Sequence, residues 1–326
     1  MGEGASAIER ALEPHPHAGL TVEPTPIHRL ANLSERLGRE VFALREDLTG
    51  FGLGGNKVRK LDYLVADALA RGADTLVTTG ASAFSRNAAA AATARGLALH
   101  VLIAGGPAEH NLHSRALFER HGATLRYVPE GAGEALARAE ERLVSGLRER
   151  GRVVYPMPPG GSTEIGTLGF VRVFGQIARH AERTGAGFDT IILPSGSAGT
   201  QAGLVVGRAL AGSSARVVGI AISRSADEQR GLVRRLGDST ARMLGATLDP
   251  SSVLVDDRFL GAGYPIPSEA GDAAVALLAR LEGLELDRVY TGKAAAGLIH
   301  LAETGAIAEG GRTLFVHTGG NGGLYY

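Results

Sequence analysis

From Thr75 to the C-terminus, strand-like runs alternate with helix-like runs, and this alternation narrows the available folds more than any other feature. Thr75–Thr79, Leu97–Ala104, Thr124–Val128 and Arg152–Tyr155 read as strands, with helices at Ala88–Ala94, Asn111–His121 and Gly133–Arg150 between them. The second half resumes the beat. Helix Thr163–Arg183 leads to strand Thr190–Leu193, helix Gln201–Ala211 and strand Ala215–Ile222. Strand Ser252–Val255, helices Ser268–Leu281 and Ala294–Ala308, and strand Thr313–His317 follow. Such alternation predicts an α/β fold of open, twisted, mostly parallel sheets with helices on their faces. Ahead of the beat lie an arm or short helix (1–20), a helix (Ala31–Leu37), a strand (Glu40–Leu44), a glycine-rich stretch (Arg45–Asn56) and an amphipathic helix (Lys57–Ala70). The break at Pro156–Gly161 reads as a domain boundary or a long turn. A length of 326 residues suits two such bodies.

Composition removes several functions. Lys+Arg and Asp+Glu both number 34, so no net charge draws the chain to nucleic acid or membrane. With no cysteine there is no disulfide, thiol nucleophile or Cys-ligated metal. The ten histidines are scattered and form no H-E-x-x-H motif, so no metal site is expected. Met1–Leu20 lacks the apolar stretch of a secretory signal, and no run reaches the roughly 20 apolar residues of a membrane helix. A cytoplasmic protein is the expectation.

Glycines cluster at 50–55, 160–161, 196–203 and 319–323. The third cluster, Ile191-Ile-Leu-Pro-Ser-Gly-Ser-Ala-Gly-Thr-Gln-Ala-Gly203, is a strand, a glycine turn and a helix. That order aims backbone N–H groups and a helix dipole at one point and suits a phosphate, although a turn needing only positive φ would look the same. Gly50-Phe-Gly-Leu-Gly-Gly55 matches a dinucleotide-binding pattern, but Arg45–Thr49 separates the glycines from their strand and Asp74 precedes its own strand. After these glycines come Asn56-Lys57-Val-Arg59-Lys60. A lysine at a helix start faces an unfavourable dipole and two neighbouring cations. It is either an exposed basic cluster or a lysine of lowered pKa able to form an imine. An activated lysine together with a phosphate site suggests pyridoxal phosphate.

The segment Gly54-Gly-Asn-Lys-Val-Arg-Lys-Leu-Asp-Tyr63 resembles the Schiff-base motif of the D-cysteine desulfhydrase / 1-aminocyclopropane-1-carboxylate deaminase family, which are pyridoxal-phosphate enzymes of the tryptophan synthase β-like fold (fold type II). The resemblance continues in order through Thr25–Leu30, Arg45–Gly50, Pro159–Ser162, Ser195–Gly203, Gly263-Tyr264, Val289–Ala294 and His317–Gly320, covering roughly residues 22–326. It implies a large cofactor domain (1–60 with 166–326), a small domain (61–165) and a homodimer. Lys57, beside Asn56, would hold the cofactor and move the Cα proton of a small amino acid. Gly196, Ser197, Ala198, Gly199 and Thr200 would wrap the phosphate, and Tyr264 and Tyr290 would face substrate or ring. Thr318 would bond the pyridine nitrogen. A hydroxyl there leaves the ring largely unprotonated and favours α,β-elimination or β-replacement over transamination. Thr291 and Thr318 stand where the cyclopropane deaminases carry Glu and tend to carry Leu, which favours the desulfhydrase-like branch.

One segment departs from the family. Where the family reads Gly-Ala-x-x-Ser-Asn-x-x-Arg, this chain reads Gly80-Ala-Ser-Ala-Phe-Ser-Arg86. Aligned on Arg86, two residues are missing, Ser82 takes the place of the catalytic Ser, and Ala83 replaces an Asn that supports the cofactor's phenolate oxygen. Ser85 and Asn87 are the available substitutes. Cofactor binding is expected to survive the change, while substrate and reaction outcome depend on it.

Overall fold

A computed structural model describes residues 2–107 and 112–320. In chain order the elements are α1 (Glu3–Leu12), β1 (Ile27–Arg29), α2 (Ala31–Leu37), β2 (Glu40–Arg45), α3 (Asn56–Ala70), β3 (Thr75–Thr79) and α4 (Ala83–Ala94). Next are β4 (Ala98–Ala104), α5 (Leu112–Arg120), β5 (Thr124–Val128), α6 (Glu134–Glu149), β6 (Val154–Pro156), α7 (Glu164–Thr184), β7 (Thr190–Ser195) and α8 (Gly199–Leu210). The chain closes with β8 (Arg216–Ala221), α9 (Ala226–Met243), β9 (Leu254–Asp256), α10 (Glu269–Glu282), α11 (Thr291–Glu303) and β10 (Arg312–His317).

The strands form two sheets. One has six strands in the order β1-β2-β10-β7-β8-β9, the other four in the order β5-β4-β3-β6. All pairs are parallel except β1 with β2, where Ile27 lies opposite Leu44. β7 and β3 are central and every residue of each is buried, as expected of parallel strands covered by helices on both faces. Both ends of the sequence meet in the larger sheet, because β10 runs beside β2 with Val316 opposite Leu44. That pairing brings Thr318 next to the loop that leads into α3.

The core of the larger sheet lies on its two faces. Leu168, Phe170, Phe174, Leu193 and Val205 fill one side, and Leu33, Ile192, Ile220, Leu298 and Phe315 the other. α7 and α8 approach closely through small residues. A Cβ on Gly203 would stand 2.5 Å from the Phe170 Cβ, and one on Gly207 2.4 Å from the Phe174 Cβ. A methyl at either position forces the helices apart, at a cost of about 1–3 kcal/mol for overpacking.

The sequence reading and the structure differ mainly at element ends. α4 starts at Ala83 rather than Ala88, because Ser82 caps it. α8 starts at Gly199 rather than Gln201, directly after the turn. The N-terminal arm contains a true helix, α1, packed on α7 through Ile8. Asn111, Gly322 and Gly323, which belong to the expected fifth helix and the last glycine cluster, lie outside the described residues. Among the described residues no helix is long and apolar enough to cross a membrane.

Candidate active site

Lys57 occupies the second position of α3, immediately after Gly55 and Asn56. Four distant segments fix this helix start. Gly55 N–H donates to the Glu46 carbonyl at 3.0 Å, and Asn56 N–H donates to the Thr318 carbonyl at 2.9 Å. The Asn56 amide donates to Thr200 Oγ1 at 2.9 Å. The buried Asn87 of α4 brackets the glycine loop, accepting from Leu53 N–H at 2.9 Å and donating to the Gly54 carbonyl at 3.1 Å. Gly55 (φ 91°) runs against β10's end, where a Cβ would lie 3.0 Å from the Thr318 carbonyl oxygen. Thr318 itself is buried.

Burial lowers the Lys57 pKa to about 8. The sequence had suggested the helix dipole and the neighbouring cations as the cause. The structure gives a different one, because Arg59 is neutralised by two carboxylates. Its guanidinium meets Glu46 at 2.9 Å and also contacts Glu23, deep in the protein. Removing one member of a buried pair of this kind costs about 3–5 kcal/mol. A lysine near 8 carries a substantial neutral fraction at physiological pH, which imine formation requires.

Facing Lys57 is the turn between β7 and α8. Ala198 has φ 71° and ψ −41°, the one non-glycine with positive φ among the described residues, and Gly199 N–H closes on the Ser197 carbonyl at 3.0 Å. Such a γ-turn is strained by about 1–3 kcal/mol and persists only where the surroundings hold it. The first-turn N–H groups of α8 have no acceptor within the helix, and that of Gly199 reaches Ser162 Oγ. Ser162 Oγ donates to Ser197 Oγ at 2.9 Å and accepts from Lys60 Nζ at 3.0 Å and from Gly199 N–H at 3.3 Å. Lys60 Nζ also donates to the Gly160 carbonyl at 3.2 Å. A Cβ on Gly160 would meet Ser197 Oγ at 2.7 Å and Lys57 Nζ at 3.5 Å. Lysine, hydroxyls and turn therefore share one small space.

These residues fit a phosphate-bearing aldehyde. Lys60 is fully buried and, among the described residues, bonds only a carbonyl and a hydroxyl. Its pKa falls well below the ordinary lysine value, first through burial and then through Lys57. A buried ammonium without an anion is costly, and a phosphate in the cradle is the missing counter-charge.

Tyr264 and Tyr290 meet on the sheet's C-terminal side. Their hydroxyls lie 2.8 Å apart and the rings are edge to face with centroids 6.0 Å apart. They are 53% and 37% exposed. Burial, then Tyr264, raises the Tyr290 pKa, while the charge of Arg86 on α4 pulls it the other way. Asp287 anchors Tyr290, accepting from Tyr290 N–H at 2.6 Å, Thr291 N–H at 3.0 Å and the Thr291 hydroxyl at 2.7 Å. The sequence reading passed over Asp287, although an acid just ahead of a helix is a cap signature. It also treated Lys60 only as a charge, and Ser162 only as part of a turn motif.

Ser82 is exposed and caps α4, accepting from Ser85 N–H at 3.4 Å. The two candidate substitutes for the missing Asn are engaged elsewhere. Ser85 Oγ donates to the Gly80 carbonyl at 2.5 Å and accepts from Ser82 N–H at 2.9 Å, while both ends of the Asn87 amide bind the glycine loop. Ala83 is the first residue of α4 and offers no polar group. His317 is structural, with Nε2 donating to the Glu285 carbonyl at 2.9 Å and Nδ1 accepting from Gly319 N–H at 3.3 Å. No cluster of three or more His, Asp or Glu positioned for a metal occurs among the described residues.

Comparison with known proteins agrees with this geometry. The model of the family described as pyridoxal-phosphate dependent enzyme matches residues 19–319. The chain is 39% identical over 323 residues to a D-cysteine desulfhydrase of Yersinia pestis, covering 98% of each. It is 35% identical over 320 residues to a putative 1-aminocyclopropane-1-carboxylate deaminase of Pyrococcus furiosus, covering 98% of this chain and 96% of that one. A solved structure of an ACC deaminase homologue superposes with a TM-score of 0.86 at 35% identity, over 96% of this chain and 94% of its own. Both the lysine-and-cradle geometry and these full-length likenesses lead to one conclusion: the chain belongs to the pyridoxal-phosphate dependent enzyme family, in its tryptophan synthase β-like fold.

Proposed function

We propose that the protein is a lyase that eliminates the β-substituent of a small amino acid, with D-cysteine as the first substrate to test and pyruvate, ammonia and sulfide as products. The observation that carries this reading is the convergence of Lys57, its pKa near 8, on the Gly196–Thr200 turn. When bound, pyridoxal phosphate supplies the electron sink that makes an amino acid's Cα–H acidic. The protein's residues do the rest. Lys57 would hold the cofactor covalently, and its Nζ is the base that would accept the Cα proton. Asn56, Gly196, Ser197, Ala198, Gly199 and Thr200 hold the phosphate, with Lys60 and Ser162 behind them. Thr318 offers the ring nitrogen a hydroxyl in place of a carboxylate. The Tyr264–Tyr290 pair orients the substrate and can pass a proton to a departing thiolate, and Ser82 receives the substrate from the α4 side. In this reading residues 1–60 with 166–326 form the cofactor domain and 61–165 the small domain, and the enzyme works as a cytoplasmic homodimer.

The names of the relatives supply D-cysteine as the substrate to test first. A second reading, β-replacement or a specialised biosynthetic step, is favoured by one observation: Ala83 offers no amide, and Ser85 and Asn87 are engaged elsewhere. Product analysis of holoenzyme with D-cysteine alone separates the two. Pyruvate with equimolar ammonia and sulfide supports elimination, whereas turnover only when a second nucleophile is added overturns it in favour of replacement.

A further inference from the structure

Of the 34 basic residues in the chain, 31 are arginine and three are lysine: Lys57, Lys60 and Lys293. Lys60 and Lys293 are fully buried and Lys57 is half-buried. Every exposed basic position is arginine. Lysine thus remains only where a compact ammonium is needed and a planar guanidinium does not serve. Lys57 and Lys60 stand at the phosphate cradle. Lys293 stands on α11 and is unexplained by it.

Lys293 Nζ donates to the Leu260 carbonyl at 2.8 Å and to the Gly263 carbonyl at 3.2 Å. These two carbonyls also close two successive turns: Gly263 N–H reaches the Leu260 carbonyl at 3.4 Å, and Ile266 N–H reaches the Gly263 carbonyl at 3.1 Å. Tyr264 sits within the second turn. Its neighbours give it little hold, since Tyr264 and Ile266 are among the exposed large hydrophobic residues. No carboxylate pairs with Lys293 among the described residues, so its charge is satisfied by backbone oxygens, and burial lowers its pKa. Tyr290 stands just ahead of the same helix, pinned by Asp287.

We propose that Lys293 is a positioning residue for Tyr264: its ammonium clamps the two successive turns that lead to and hold the phenol, so that the start of α11 sets both members of the tyrosine pair. This rests on the reading of Tyr264 as substrate-facing. A neutral side chain at 293 leaves two carbonyls to two weak turn bonds, and the Tyr264 hydroxyl loses its fixed separation from Tyr290.

Hydrogen–deuterium exchange on the holoenzyme tests the clamp without reference to any substrate. In Lys293→Met, exchange across residues 258–267 rises tenfold or more, while α10 and α11 stay within twofold of wild type. Lys293→Gln, which keeps a short neutral donor, is the second variant should the first fail to fold, and it shows the same local rise. No rise at 258–267, or an equal rise through α10 and α11, overturns the proposal, as does a Lys293→Arg variant with wild-type exchange. In kinetics with D-cysteine, Lys293→Met and Tyr264→Phe each lower kcat/KM about tenfold, and the double variant falls no further than the more impaired single. Losses that multiply contradict the clamp. If wild type does not turn over D-cysteine, the proposed substrate fails while the exchange result still decides the clamp.

Discussion

Lys57 and Ser82 both stand at the start of a helix, and the two starts are held in different ways. The α3 start takes hydrogen bonds from the glycine loop and Asn56 to residues 46, 87, 200 and 318, which lie far apart in sequence. At the α4 start the cap itself is local, with Gly80, Ser82 and Ser85 bonding one another, and the longer ties run from Gly80 N–H to the Leu102 carbonyl and from Arg86 to Ser114. Long-range ties over-determine the first and leave little room for drift. The resemblance to the family places its departure, two residues fewer and Ala83 for an asparagine, at this second start. On the proposed reading the α3 start is the rigid cofactor seat, and the α4 start is where the chemistry would be adjusted.

This contrast can be broken by experiment, beginning with the largest effect. Lys57→Ala removes the covalent hold and the proton carrier together, so kcat falls by about 10⁴ or more and the visible cofactor band is lost, as an absorption spectrum of the purified variant shows. Gly160→Ala places a Cβ 2.7 Å from Ser197 Oγ at a residue with φ 74°. Cofactor affinity, read by titration of the apoprotein, falls about 100-fold, while an equal change at the open Gly72 leaves affinity unaltered. Ser82→Ala is the matching cut on the other side. It costs about 1 kcal/mol of stability through the lost cap, seen as a small drop in Tm, and leaves cofactor affinity unchanged.

The pH dependence sharpens the same contrast. Lys57 ionises near 8 in the folded apoprotein, below its unfolded value. Between these values the unfolded chain binds the extra proton, so apoprotein stability rises with pH through that window and is lower below 8. The rate of capture of added pyridoxal phosphate should climb about tenfold per pH unit below 8 and level off above it, because only the neutral amine attacks. Stopped-flow absorbance gives that profile directly. Ser82→Ala leaves the profile in place, and the smallest effect, from Ala83→Asn, appears only as a shift in the pH at which the bound cofactor's spectrum changes.

Much of the fold was readable because buried parallel strands and amphipathic helices carry strong local periods. β3, β4, β5, β7 and β8 lie where alternation puts them. β1 was not readable, since three residues carry no period, and neither was the α4 start, where Ala-Phe-Ser-Arg-Asn reads as helix only once Ser82 is seen as its cap. The site divides in the same way. Lys57 and the Ser195–Gly203 turn are contiguous motifs and announce themselves. Asn87, Ser162 and Lys60 act through partners between 33 and 102 residues away, which no local pattern records. Even the cause of the low Lys57 pKa was hidden, because Arg59 looks like a repelling neighbour until Glu46 and Glu23 are placed around it.

With only three lysines in the chain, the central claim has a direct test. Holoenzyme is reduced with borohydride, digested, and its peptides weighed by mass spectrometry. The account predicts one pyridoxyl-phosphate adduct, on Lys57, with Lys60 and Lys293 unmodified. An adduct on Lys60 or Lys293, or no adduct from a yellow holoenzyme, would contradict it.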